Sequence, residues 1–128
     1  MYGKELIIDL YECRVSKFNR QSIEDWLDGL CGLIDMEQKE LHFWDYEGDE
    51  EEKAKAPEHL VGTSAVQFIT TSDIVIHTLD KVRECYINLF TCKEFDVADA
   101  LGFTTKWFGS GRFEYQVIER GKFTKCKL

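Results

Sequence analysis

The chain has 128 residues and a formal net charge of −8, with 44% hydrophobic and 13% aromatic residues. That length suits one domain spanning 1–128 with a core that needs no staples, and the composition is that of a packed globule. The acidic balance argues against a nucleic-acid partner, no apolar run approaches the ~18 residues of a membrane helix, and Met1-Tyr2-Gly3-Lys4-Glu5 carries no signal-peptide core, so a cytoplasmic protein is expected.

Lys4 to Tyr11 reads as a strand, with Leu6, Ile8 and Leu10 on one face. Ser22 is placed to cap a helix, with Asp25 three residues on. Ile23, Trp26, Leu27, Leu30 and Ile34 follow at helical spacing, and the helix ends between Gly32 and Asp35. Lys39 to Trp44 alternates as a second strand. The acidic stretch 45–58, which holds Asp49-Glu50-Glu51-Glu52 and Pro57, is expected to be a mobile loop. Three strands are predicted next, over Ser64 to Thr70, Ser72 to Leu79 and Cys85 to Thr91. Asp96 caps a second helix bearing Val97, Ala100, Leu101, Trp107 and Phe108, and Gly109 ends it. Phe113 to Glu119 forms a last strand, and 121–128 is a basic, solvated tail.

The order β-α-β-β-β-β-α-β predicts an α+β two-layer sandwich, a largely antiparallel sheet with two helices on one face. Adjacent apolar residues in Ile74-Val75-Ile76 and Tyr86-Ile87 imply burial on both sheet faces. That suggests a homodimer in which two sheets meet as an αββα assembly. The five cysteines are odd in number and widely spaced, which speaks against a disulfide framework. No C-x-x-C or H-x-x-x-H pair is present, so no metal is expected.

Four residues remain to be explained. Ser64 precedes Ser72 by eight positions, His77 follows Ser72 by five, and Cys92 follows His77 by fifteen. Together with Gly62-Thr63-Ser64-Ala65-Val66, Ile76-His77-Thr78, Phe90-Thr91-Cys92 and the opening Leu6-Ile7-Ile8-Asp9-Leu10-Tyr11-Glu12-Cys13, this register resembles the small prokaryotic S-adenosylmethionine decarboxylase family over about residues 4 to 120.

The resemblance implies self-cleavage between Thr71 and Ser72. Ser72 becomes a pyruvoyl group, the built-in electrophile that takes a substrate amine and accepts electrons as CO₂ leaves. Ser64 and His77 are implied as processing residues, with His77 as base, and Cys92 as the acid that protonates the product. The implied substrate is S-adenosylmethionine and the implied role polyamine (spermidine) synthesis.

The chain also departs from the family. Thr71 stands for its glutamate and Asp73 for its histidine, and Leu79-Asp80-Lys81 replaces the Trp-Pro-Glu whose carboxylate holds the ribose. The adenine-stacking aromatic is missing from Glu58-His59-Leu60-Val61. Another amino acid substrate such as ornithine or arginine therefore stands as an alternative, as does an uncleaved, non-catalytic homologue. Within one strand, residues five apart face opposite ways, so Ser72 and His77 converge only if the chain turns at Ser72.

Overall fold

The computed structural model of residues 1–128 runs β1 (Gly3–Tyr11), α1 (Arg20–Leu33), β2 (Gln38–Trp44), α2 (Glu50–Lys55), β3 (Ser64–Ile69), β4 (Ser72–Leu79), β5 (Glu84–Thr91), α3 (Val97–Phe108) and β6 (Arg112–Arg120). The strands form one sheet in the order β2-β3-β4-β5-β1-β6, and every neighbouring pair is antiparallel. The fold is the expected α+β sandwich.

Strand alternation decides what each face does. Leu6, Ile8 and Leu10 of β1, Ala65 and Ile69 of β3, Ile74 and Ile76 of β4, and Ile87 and Leu89 of β5 are buried on one face. There they meet Ile23, Trp26, Leu27 and Leu30 of α1 and Ala100, Leu101 and Phe108 of α3 in a single core. Trp26 lies edge-on to Phe108, with centroids 5.3 Å apart, and its indole N–H donates to Thr104 Oγ1 at 3.1 Å. That bond lets the bulkiest core side chain be buried without an orphaned donor. Asp96 and Gly109 bracket α3 as expected: Asp96 accepts from Asp99 N–H at 2.9 Å, and Gly109 takes the left-handed φ of 60°.

Three expectations need correction. The cap of α1 is Asn19, which accepts from the N–H of Ser22. The helix thus starts a turn earlier than Ser22, whose hydroxyl instead accepts from Trp107 Nε1 at 3.1 Å. The acidic stretch 45–58 is not all loop, because Asp49 caps α2 by accepting from Glu52 N–H. Three glutamates at the front of α2 and Lys53 and Lys55 at its back complement its dipole. Finally, β5 begins at Glu84 and β6 extends to Arg112–Arg120.

The second sheet face carries no helix. Ile7, Val66, Val75, Tyr86 and Phe90 lie there half-buried, and Phe68 and Trp44 are exposed. On the outermost strand, β6, all nine residues are exposed. No helix of the chain is long and apolar enough to cross a membrane.

Candidate active site

The β3–β4 hairpin determines where the chemistry sits. Ile69 pairs with Ser72, so only Thr70 and Thr71 make the turn. Thr71 has φ 53°. The second position of such a loop ordinarily takes glycine or asparagine when its φ is positive. A β-branched residue there is strained, by roughly 1–3 kcal/mol. That strain sits in the backbone of Thr71, the residue that precedes Ser72.

Ser72 is the first residue of β4 and points to the helix-covered side, where it is buried. Its hydroxyl donates to Thr91 Oγ1 at 3.1 Å. Thr91 also accepts from Lys93 N–H at 3.0 Å and donates to Met36 Sδ at 3.6 Å. Thr91 therefore fixes the serine hydroxyl and leaves its lone pairs available to the carbonyl before it. Across the turn, Cys92 Sγ lies 4.0 Å from Thr71 Oγ1. Cys92 is half-exposed, whereas burial pushes the thiols of Cys13 and Cys31 up to about 11 and that of Cys85 higher still. Of the five cysteines, Cys92 is the one beside Thr71.

Ser64 and His77 form a second group. They are directly paired on β3 and β4, and Ser64 Oγ lies 2.7 Å from His77 Nδ1 in a hydrogen bond whose donor depends on the imidazole tautomer. The register places Trp44, Ser64, His77, Tyr86, Asp9 and Glu114 in one row across all six strands on the open face. Tyr86 donates to Glu84 Oε1 at 3.2 Å. Burial, this bond and the nearby acids push its phenol up to about 12. Burial and the Glu114 charge also raise the Asp9 carboxyl.

One chain thus holds the four candidate residues as two separate groups. The turn precedes Ser72 instead of falling at it, so Ser72 and His77 stay on opposite faces of a regular strand. Five residues of strand separate them by roughly 17 Å. Ser72 and Cys92 share one end of the sheet, and Ser64 and His77 share the other. Thr91 was hidden in the sequence as the middle of Phe90-Thr91-Cys92, and Tyr86 and Asp9 become visible only through strand register. No group of three or more His, Cys, Asp or Glu side chains gathers as a metal site.

The family model for S-adenosylmethionine decarboxylase matches residues 4–121. The crystal structure of the adenosylmethionine decarboxylase from Aquifex aeolicus VF5 superposes with a TM-score of 0.75 at 20% identity, covering 99% of this chain and 97% of that one. At that identity the structural likeness speaks for the fold alone. No curated protein matches the sequence.

Proposed function

The chain belongs to the S-adenosylmethionine decarboxylase family, and from that premise we propose that it is a self-processing, pyruvoyl-dependent decarboxylase. The observation that carries this reading is the tight turn that sets Thr71 at a positive φ directly before Ser72, with the Ser72 hydroxyl held by Thr91 and Cys92 near Thr71.

In the proposed processing, Ser72 Oγ attacks the Thr71 carbonyl carbon, and the peptide C–N bond gives way to an ester. A base takes the Ser72 Cα proton and the Thr71 carboxylate leaves. The resulting dehydroalanine hydrolyses, releasing ammonia and leaving a pyruvoyl group at the head of the second fragment. The residues present suit that group: residue 72 opens a strand, Thr91 can donate to it, and a half-exposed thiol lies beside it. When formed, the group supplies an electron-accepting carbonyl for loss of CO₂. Cys92 is then the proton source for the product carbon, and Ser64 with His77 assists the processing step.

The division into half-sites supports a homodimer as part of this proposal. Two copies facing each other across their open sheets, head to tail, would set the Ser64-His77 pair of one over the open side of the β3–β4 turn of the other, where the Thr71-Ser72 backbone lies. The half-buried apolar residues of that face are the material for such a contact.

S-adenosylmethionine is the reference substrate, with a product that feeds spermidine synthesis in the cytoplasm. A second reading, decarboxylation of another amino acid, is favoured by Lys81, which stands where the family's ribose-holding glutamate is expected.

Intact mass under denaturing conditions tests the processing directly. The wild type is expected as fragments 1–71 and 72–128, the second with a blocked, pyruvoyl-bearing end, while Ser72→Ala stays whole. A wild-type chain that remains at full-length mass after long incubation would leave an uncleaved, non-catalytic homologue as the reading.

A further inference from the structure

The helix layer carries a recess of about 380 Å³ that processing at Ser72 does not use. Arg14, Lys17, Phe103, Lys106 and Trp107 line it. Arg14 and Lys17 come from the link between β1 and α1, where Val15–Lys17 makes one 3-10 turn. Phe103, Lys106 and Trp107 come from α3, where spacings of three and four residues put them on one face. The volume falls within the range of about 300–1,000 Å³ usual for small-molecule sites. The recess is remote from Ser72. Ser72 bonds to Thr91, which pairs with Lys4 at the start of β1, whereas Arg14 follows the other end of that strand.

The lining is held in place. Arg14 N–H donates to Phe108 O at 2.8 Å, which ties the link to the end of α3. Gly109 lets the Arg14 side chain lie across that end, because a Cβ at residue 109 would come within 2.7 Å of Arg14 Cγ. Trp107 Nε1 donates to Ser22 Oγ at 3.1 Å, so the indole is anchored to α1. Phe103 stacks on Trp107 with centroids 5.9 Å apart and planes at 29°. Lys17 Nζ sits 4.7 Å from the Trp107 ring centroid. Rings fixed in advance lose little freedom when a ligand settles against them.

The charge of the recess is one-sided. The chain has 24 acids against 16 lysines and arginines, yet no acid lines this recess. Arg14, Lys17 and Lys106 make no ion pair, whereas Lys4, Arg20, Lys39, Lys55, Lys93 and Arg120 each do. The C-terminal pole of α3 lies here and supplies about half a negative charge. That accounts for Lys106 in the last turn and leaves Arg14 and Lys17 without an anion. Like charges gathered in one recess repel one another, and a polyvalent anion reverses that cost.

We propose that this recess binds a small phosphate monoester with a flat aromatic body. Such a phosphate carries a charge of about −1.5 to −2 at pH 7 and strong acceptor oxygens, which suits this set of cations better than a single carboxylate does. Arg14 supplies a planar fork for two of those oxygens, and Lys17 and Lys106 supply point charges. The aromatic body lies against the Phe103-Trp107 stack. This site is independent of the processing reading for Ser72.

Isothermal titration with phenyl phosphate, phenol and inorganic phosphate tests it, on the wild type and on Ser72→Ala, in which no pyruvoyl group can form. Phenyl phosphate is expected to bind both chains equally, at least about tenfold more tightly than phenol and at least about fivefold more tightly than inorganic phosphate. Arg14→Gln combined with Lys106→Gln changes two exposed side chains. It should leave the thermal midpoint in place and weaken phenyl phosphate at least about tenfold. Trp107→Leu should weaken phenyl phosphate and leave inorganic phosphate where it was. No binding of phenyl phosphate to the folded chain, or binding that the Arg14→Gln, Lys106→Gln chain keeps in full, would overturn the proposal. Equal affinity for phenyl phosphate and inorganic phosphate would overturn the ligand class.

Discussion

Thr71 concentrates the tension of the site in one residue. Its φ of 53° puts a β-branched side chain where glycine is comfortable, and its carbonyl is the one Ser72 is proposed to attack. Strain of this kind raises the energy of the folded turn, and freeing the chain end after residue 71 would let it relax. Thr71→Gly therefore makes two effects diverge. In a Ser72→Ala background, where no cleavage competes, it should raise unfolding stability by about 1 kcal/mol, the relief of strain less the extra unfolded-state entropy of glycine. In the chain that keeps Ser72, the same substitution should slow the appearance of the two fragments. Unchanged cleavage with raised stability would mean the strain plays no part in processing. The intervals linking Ser64, Ser72, His77 and Cys92 were legible in the sequence, because spacing along a chain survives divergence. The conformation of Thr71 was not, since nothing about a threonine announces a positive φ. The partner of the Ser72 hydroxyl was also out of reach, because Thr91 reaches it only through strand pairing.

Elements were easiest to read where the chain repeats a period, and hardest at their ends. The apolar alternation of β1 and the 3.6-residue stripe of α1 place the core directly. The start of α1 was misread because Ser22 and Asp25 imitate a cap, while Asn19 has the extended backbone that capping requires (φ −151°, ψ 164°). The acidic segment was misread because charge runs usually mark solvated loop. Here the charges are ordered, acids first and lysines last, which favours one short helix. Arg20, the first residue of α1, reaches just past β2 and donates to both oxygens of Asp45 at 2.8 Å. These bonds hold the Asp45 carboxyl below its ordinary value against the opposing effect of burial. A carboxylate with a lowered folded pKa stabilises the fold fully above its unfolded value of ~3.9, and the contribution is lost as pH falls through the lower folded value. Arg20→Gln should therefore lower the thermal midpoint at pH 5 to 7, and the gap from wild type should start to narrow below about pH 4 and go on narrowing as the pH falls through the lower folded value. A constant offset across the whole range would assign the loss to the Arg20 guanidinium's contact with the Phe43 ring, 5.6 Å from its centroid.

At the scale of the whole molecule, one chain is a layer of helices on a sheet whose other face is half-buried and uncovered. The two-layer architecture followed from element order, whereas the separation of the half-sites required knowing that the turn falls at Thr70-Thr71 and not at Ser72. That separation turns the proposed dimer into a sharp genetic test. A chain with His77→Ala keeps its own Thr71-Ser72 peptide and Cys92 but lacks the imidazole. A chain with Ser72→Ala keeps the Ser64-His77 pair but has no serine to rearrange. Expressed alone, each variant should stay whole. If each processing site draws Ser72 from one copy and His77 from the other, co-expression creates one complete site per mixed dimer. The His77→Ala chain should then be cleaved and the Ser72→Ala chain should not. With random pairing, mixed dimers form about half of the population, so up to about half of the His77→Ala chains should appear as fragments. Distinct affinity tags identify which chain was cut. A charge set in the middle of the open face, Val75→Lys, adds a second reading of the same contact, because two facing copies would each bring a lysine into an apolar layer. It should shift sedimentation to the monomer and remove complementation together. Efficient cleavage of His77→Ala on its own would remove the histidine from processing. Failure of the mixture to cleave, with dimers present and both single variants folded, would mean that His77 acts within its own chain or not at all, and the head-to-tail arrangement would have to be abandoned.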